Sequence, residues 1–354
     1  MKKVLILLTI SMLFSLLAAV DFDYSGEIRH RGAFWYDDNS EDLDNGMDTR
    51  FRLIMDAAIT RTLSINTEFE VGDFTWYDAN NNNFHVEANE AYIDYRWESM
   101  GANFKVGKQY WADHRSLVMD DYFTGIMMVK DDLAGFKSEF GLMKYNINFG
   151  PSTWWVAHMQ SKGNVPMGFT AMAGYVDDRE LLNVSVMPYV TLDMAPLTID
   201  ITPFFDFQSA REETGFGVAV KADAEMDQLE LGADLLFASE NGLTTISPWY
   251  QNGLYLYGIG EHHDGLNHYW NTPYQYNGDT FMSLVAKMKY ALTPKAQFFA
   301  AAGLLTDIGM EINGGLLYHI IPEKFSAATY AAFGSHDTPE QMDMALGGTL
   351  QVNF

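Results

Sequence analysis

In one stretch after another, this chain alternates apolar with polar side chains. FDYSGEIRHRGAFWY places Phe22, Tyr24, Ile28, Phe34 and Tyr36 on one face and Asp23, Ser25, Glu27, Arg29 and Arg31 on the other. LTIDITPFFDF sets Leu197, Ile199, Ile201, Phe205 and Phe207 against Asp200, Thr202 and Asp206. FGVAVKADAEM and LELGADLLF repeat the pattern around Lys221, Asp223, Glu225, Glu230 and Asp234. A period of two over such lengths marks a strand whose two faces meet different surroundings. No convincing helical period interrupts it beyond the first 20 residues or so. The expected class is therefore all-β, and the apolar face needs cover from either a protein core or lipid.

The two ends of the chain bear on that choice. MKK is followed by the apolar run VLILLTISMLFSLLAA and then by the polar DFDYSGE. A short basic region, an apolar core and small residues before a polar start describe a secretory signal peptide. It is placed at 1–19, with cleavage after Ala19, and the remainder, 20–354, is read as one domain. The other end, GGTLQVNF, belongs to a long two-faced strand that runs to Phe354, where a soluble chain commonly has a frayed polar tail. Connections alternate between short (ITRTL, ESMGA, LDMAP, EMDQL, LTPK, IPEK) and long (DDNSEDLDNGMD, YDANNNNFH and 239–278). Tight turns on one side and long Asn-, Asp- and Gly-rich loops on the other are expected of a transmembrane barrel. An open sheet edge in lipid would leave backbone groups unpaired, so such a sheet must close. The expected fold is a closed antiparallel transmembrane β-barrel of about 16–18 strands. The doubtful stretch is GFKSEFGLMKYNINFGPSTWWVAHMQ, where the alternation changes phase between Leu142 and Tyr145.

Composition narrows the function. Lys and Arg number 22 against 47 Asp and Glu, a formal net charge of −25. That excludes a nucleic-acid partner, which rewards basic surface. Cysteine is absent, so the exported chain does not rely on disulfides. No Gly-x-Ser-x-Gly stands on a strand–helix turn, and the chain is read as a non-enzyme. The adjacent His262 and His263 in EHHDG lack the helical spacing of a zinc protease and would point to opposite faces of a strand. Neither a metal nor a cofactor is expected.

Two resemblances go further. GGTLQVNF resembles the terminal strand of bacterial outer-membrane barrels, which implies that Phe354 is part of the signal read by the barrel assembly machinery. The stretch EAYIDYRWESMGANFKVGKQYWADHRSLVMDDYFTG, from Glu90 to Gly125, resembles the porin superfamily and, loosely, its alginate-export-like and phosphate-selective-porin-like members. In those, a strand pair ending in a Gly-basic-Gln step leads into a loop folded into the pore. Val106, Gly107, Lys108 and Gln109 match that step. The resemblance makes the following residues, with Trp111, Asp113, His114, Arg115, Asp120 and Asp121, a constriction loop. The strong acidity of this chain departs from both named groups, so anion or phosphate selectivity does not carry over. A homotrimer is implied if the chain is a general porin, and a monomer if it is alginate-export-like.

Alternation assigns Arg29, Arg31, Arg50, Arg52, Arg96 and Lys105 to the lumen, with the acids Glu68, Glu70, Glu90 and Asp94 facing them. A Lys or Arg facing mid-bilayer lipid would cost about 2–4 kcal/mol, so these groups should meet water. They either select among ions and polar solutes or only neutralise one another. Acids at the presumed outer mouth are Asp37, Asp38, Glu41, Asp42, Asp44 and Asp48. The long loop holds Trp249, Tyr250, Tyr255, Tyr257, Tyr269, Trp270, Tyr274 and Tyr276. These stack on sugars at a channel mouth, pack the loop or join an interfacial belt. The expectation is an outer-membrane porin, embedded in outer-membrane lipid, for passive diffusion of small hydrophilic solutes. The alternatives are a sugar- or oligosaccharide-specific channel and a structural or adhesive surface barrel.

Overall fold

A computed structural model describes residues 21–37, 42–75, 86–147, 150–176, 181–209, 213–262, 279–336 and 342–354. The expected signal segment 1–19 lies outside the described residues. Among them the regular elements are all strands. In chain order they are β1 (Asp21–Asp37), β2 (Asp42–Thr60), β3 (Leu63–Thr75), β4 (Val86–Trp97), β5 (Ala102–Ala112) and β6 (Asp120–Leu133). Then follow β7 (Phe136–Ile147), β8 (Gly150–Ser161), β9 (Met167–Val176), β10 (Leu181–Met194), β11 (Leu197–Gln208) and β12 (Glu213–Met226). The last six are β13 (Leu229–Ala238), β14 (Phe281–Thr293), β15 (Ala296–Leu305), β16 (Gly309–Ile321), β17 (Phe325–His336) and β18 (Met342–Asn353).

Each strand pairs antiparallel with its neighbours in sequence, and β1 pairs with β18 from Glu27↔Asn353 to Tyr36↔Met344. The sheet is thus a closed 18-stranded barrel without an edge. The six short connections read from the sequence all lie at one end, at 61–62, 98–101, 195–196, 227–228, 294–295 and 322–324, and the long ones lie at the other. Register follows the alternation. Phe22, Tyr24 and Phe34 are exposed on the outer face, while Arg29 and Arg31 are buried inside. Large apolar side chains are exposed on every one of the eighteen strands. The seam is closed by Phe354, whose backbone exchanges two hydrogen bonds with Gly26 at 2.9 and 3.0 Å. Its ring stacks on Phe51 at 6.2 Å. A Cβ at residue 26 would come within 2.7 Å of that ring, so a glycine gives the aromatic its seat.

One strand pair leaves the wall. Pairing of β4 with β5 stops at Ala91↔Lys108, and that of β6 with β7 starts at Thr124↔Lys144. Yet β5 and β6 stay paired with each other up to Ala112↔Asp120. The tip of this hairpin, from about residue 109 to 123, therefore has no wall strand beside it and folds into the lumen. Glu90 replaces the missing backbone partner by accepting the Tyr110 N–H at 2.9 Å. The departure point is the pair Gly107↔Gly125. Gly107 has φ +137°, and a Cβ there would lie 2.3 Å from the Ala91 carbonyl oxygen. A Cβ on Gly125 would lie 2.1 Å from the Leu142 carbonyl oxygen. Lys108, three residues on from Lys105 in β5, falls on the opposite face of the strand. Replacing Gly107 with Val combines a positive φ with a backbone clash and should cost about 1–3 kcal/mol or more. A lower urea midpoint for the refolded barrel is the expected reading, and an unchanged midpoint would refute the hinge.

The hairpin decides where the core sits. Trp111, Leu117, Val118, Met119 and Phe123 bury themselves against the inward faces of β6 to β13, at Met127, Met143, Trp154, Met172, Met187, Phe204 and Leu236. This sector of the lumen is filled by apolar packing, so the lumen is narrowed further than an expected constriction loop alone implies. Within it β8 to β10 carry large apolar residues on both faces, because one face has the exterior and the other has the hairpin. The expected phase change near Leu142 does not occur. Leu142 and Lys144 are both exposed on the outer face, whereas Met143 is buried inside.

Candidate functional site

The tip of the hairpin crosses the lumen and is tied to the far wall. Asp113 accepts backbone N–H bonds from Arg115, Leu117, Val118 and Met119, at 2.7 to 3.1 Å, and so winds residues 113–119 around one carboxylate. Burial pushes the Asp113 carboxyl up, and these four donors pull against that. His114 bonds Asp200 on β11 at 2.5 Å and stacks on Tyr189 at 3.7 Å. Arg115 reaches Asp200 at 3.3 Å, Asp234 on β13 at 3.0 Å and the Tyr250 hydroxyl at 3.1 Å. Burial works against the guanidinium charge, but Tyr250, Asp234 and Asp200 together outweigh it and raise its pKa. Burial and Asp234 raise Tyr250 as well, which keeps its hydroxyl a donor to that carboxylate.

A second segment comes down between β13 and β14. Ile246 donates its N–H to Val118, Asp120 donates to Ser247, and Trp249 donates to Ser116, all through backbone bonds of 2.7 to 3.0 Å. From there residues 250–262 lie on the inner wall of β14 to β18. Glu311, fully buried, accepts the N–H groups of Tyr255, Leu256 and Tyr257 at 2.7 to 2.9 Å. Tyr255 stacks on Tyr330 at 3.9 Å. Tyr257 donates to Asp343, and Asn313 donates to the Gly253 carbonyl. Tyr250, Tyr255 and Tyr257 thus pack this segment and offer no stacking face at a mouth. Tyr269, Trp270, Tyr274, Tyr276 and His263 lie outside the described residues.

Among the described residues, three cavities lie along the other side of the lumen. A cavity of about 700 Å³ opens between the hairpin and the wall of β2, β3 and β4. Its lining contains Arg50, Arg52, Glu68, Glu70, Glu90, Asp120 and Asp121, with Tyr110, Tyr122 and Trp249. Trp249 also borders the next cavity, about 210 Å³, beside Arg29 and Gln351. Gln251 and Glu261 join that one to a third, about 280 Å³, beside Lys221, Lys287 and Lys289.

The expected lumen set divides accordingly. Arg50, Arg52, Glu68, Glu70 and Glu90 come together in the large cavity, and Arg29 lines the second. Arg31 is instead buried in an ion pair with Asp48 at 2.7 Å. Asp48 is therefore part of the inner wall and not of an acidic mouth. Of the other mouth acids, Asp38 and Glu41 and the side chains of Asp37, Asp42 and Asp44 lie outside the described set. Asp94, Arg96 and Lys105 belong to none of the three cavities, and Arg96 is exposed one residue before the end of β4. Within the expected loop, Trp111 and Ala112 end β5 and Asp120 and Asp121 begin β6. Trp111 donates Nε1–H to Glu139 at 2.9 Å, and Asp121 accepts from Tyr145 at 2.5 Å and Ser247 at 2.7 Å. The sequence reading missed Asp200, Asp234, Glu311 and Asp343 as anchors. Their signal is an acid on the inward register of a largely apolar strand, as in GMEINGG.

A closed 18-stranded antiparallel barrel, apolar outside and narrowed inside by two infolded segments that leave a charged cavity, has the architecture of a porin-type barrel. Solved structures agree with that class. OpdO of Pseudomonas aeruginosa superposes with a TM-score of 0.69 at 13% identity, over 94% of this chain and 97% of its own. The outer membrane protein OpdK of the same organism gives 0.65 at 12%, over 94% and 98%. The outer membrane protein OprD, also from that organism, gives 0.65 at 11%, over 94% and 94%. No protein-family model matches the chain, and no curated protein sequence matches it. At these identities the likeness is one of fold. It lends nothing to the expected alginate-export-like or phosphate-selective grouping.

Proposed function

We propose that this chain is an outer-membrane porin through which small hydrophilic solutes diffuse passively. One observation carries the reading: a cavity of about 700 Å³, lined by charged groups from three wall strands and an infolded hairpin, inside a closed barrel. A coat of exposed apolar side chains drawn from all eighteen strands suits lipid and would aggregate in water. Trp249 borders the first and second cavities, Gln251 and Glu261 border the second and third, and together the three trace a side path around the packed half of the lumen. No catalytic or cofactor role is needed for such a device. The segment 1–19 serves as the export signal and Phe354 as the assembly signal in this reading.

A narrow path with its own cavity also suits a substrate-specific channel. OpdK has been crystallised with vanillate, at a TM-score of 0.61 and 13% identity to this chain. Single-channel recording in a planar bilayer tests both readings. Discrete ohmic steps are expected. Steps blocked by one class of solute mark the specific channel, and a silent, correctly folded barrel would leave the structural or adhesive reading.

A further inference from the structure

The large cavity has two unlike sides. On the wall side each arginine is already engaged. Arg50 pairs with Glu27 at 2.5 Å. Arg52 pairs with Glu70 at 2.5 Å and lies 3.4 Å from Glu68. Asn89 and the Tyr122 hydroxyl complete the bonding of those two glutamates. The remaining acids are Glu90, on β4 beside the root of the hairpin, and Asp120 and Asp121 on the hairpin itself. Glu90 accepts the Tyr110 N–H, Asp120 accepts the Ser116 and Tyr110 hydroxyls, and Asp121 accepts the Tyr122 N–H and the Tyr145 and Ser247 hydroxyls. All these donors are neutral, and no ion pair of these three acids occurs among the described residues. The cavity therefore carries uncompensated negative charge.

It also carries rings. Tyr110 and Tyr122 meet edge to face at 5.7 Å and Trp249 stands across from them on the second segment. Lys108 already holds its ammonium 5.9 Å from the centre of the Tyr122 ring. Aromatic faces beside carboxylates attract a cation that has an apolar body. The volume is that of a small-molecule site and far exceeds a single ion. No three His, Asp or Glu groups among the described residues are arranged to hold a metal ion. Engaged arginines leave no strong subsite for an acid group.

We infer that the cavity between the hairpin and the β2–β4 wall is a subsite for organic ammonium ions, with Glu90, Asp120 and Asp121 taking the charge and Tyr110, Tyr122 and Trp249 the apolar body. This rests on the channel reading and adds the class of solute to it.

The test uses two probes with the same body and opposite charge, phenethylammonium and phenylacetate. Refolded full-length barrel is recorded in KCl. Phenethylammonium should interrupt the current at about tenfold lower concentration than phenylacetate, and Glu90→Gln should raise its half-blocking concentration about fivefold to tenfold. Heat-modifiable mobility checks that the variant is folded. Equal or stronger block by phenylacetate, or block indifferent to Glu90→Gln, overturns the inference. A titration of tryptophan fluorescence in detergent reads the same site without conduction, with Trp249→Phe identifying the reporter. A silent barrel whose Trp249 signal saturates with phenethylammonium alone loses the channel reading and keeps the site. A conducting barrel with neither block nor signal keeps the channel and loses the site.

Discussion

Arg115→Ala should release the tip of the hairpin from the far wall. The guanidinium joins two carboxylates from different strands, at 3.3 and 3.0 Å, and its side chain is 9% exposed. Removing it leaves Asp200 and Asp234 buried beside each other with neutral donors and His114. Breaking a buried pair in this way costs about 3–5 kcal/mol, against 0–1 for an exposed one. The wall does not depend on the tip, since β5 and β6 keep their wall partners below Gly107 and Gly125. The cost should therefore appear as opening of residues 113–119 and not as loss of the barrel. Leu117 is fully buried in the wild type. A Cys at residue 117 should become reactive to a water-soluble thiol reagent when Arg115→Ala is added, and single-channel currents should flicker. Arg115→Lys keeps the charge but loses the fork that spans two acids, and should fall in between. A Cys at 117 as unreactive with Arg115→Ala as without it would show that the apolar packing alone holds the tip.

The wall was legible because its physics is local. Two surroundings impose a period of two, and Phe205, Asp206 and Phe207 declare their faces without help from distant residues. Turns were legible for the same reason. Strands β8 to β10 were not. Their inward residues Trp154, Met172 and Met187 are apolar, like their outward ones, because a hairpin from elsewhere in the chain covers them. Alternation fails wherever a long-range contact replaces water. The hairpin itself was half legible. The Gly107–Lys108–Gln109 step pointed to an infolded loop, but the paired glycine across the hinge, Gly125, carries meaning only once the register is known. Alternation gave each charged residue a face but not a role. Arg31 and Asp48 form a wall pair, Asp113 shapes a loop, and Glu90, Asp120 and Asp121 accept from neutral donors. Which acid meets which base depends on strand stagger, and the sequence pattern leaves stagger open.

The same logic makes Glu311 the most consequential residue outside the hairpin. Its carboxylate is the common acceptor for three consecutive N–H groups of the second segment, and Asn313 donates to it at 2.8 Å. A run of N–H groups converging on one point is a turn that the backbone cannot satisfy by itself, so a wall residue completes it. Glu311→Ala leaves three buried donors without an acceptor, each costing about 1–3 kcal/mol. Glu311→Gln keeps one acceptor oxygen and should cost less. Opposing the release are the Tyr255–Tyr330 stack at 3.9 Å and the Tyr257 bond to Asp343. An aromatic pair contributes about 0.5–1.5 kcal/mol beyond its burial, which is too little to hold the segment against three orphaned donors. Residues 254–257 should therefore leave the wall of β15 to β18, where Leu254 is now fully buried. A Cys at residue 254 should gain reactivity in the Glu311→Ala background. Conductance should rise with it, because Gln251 and Glu261, which border two of the three cavities, belong to the same segment. A reactive Cys with unchanged conductance would place the conducting path away from this segment. An unreactive one would show that packing, and not the carboxylate, fixes the lumen's second obstruction.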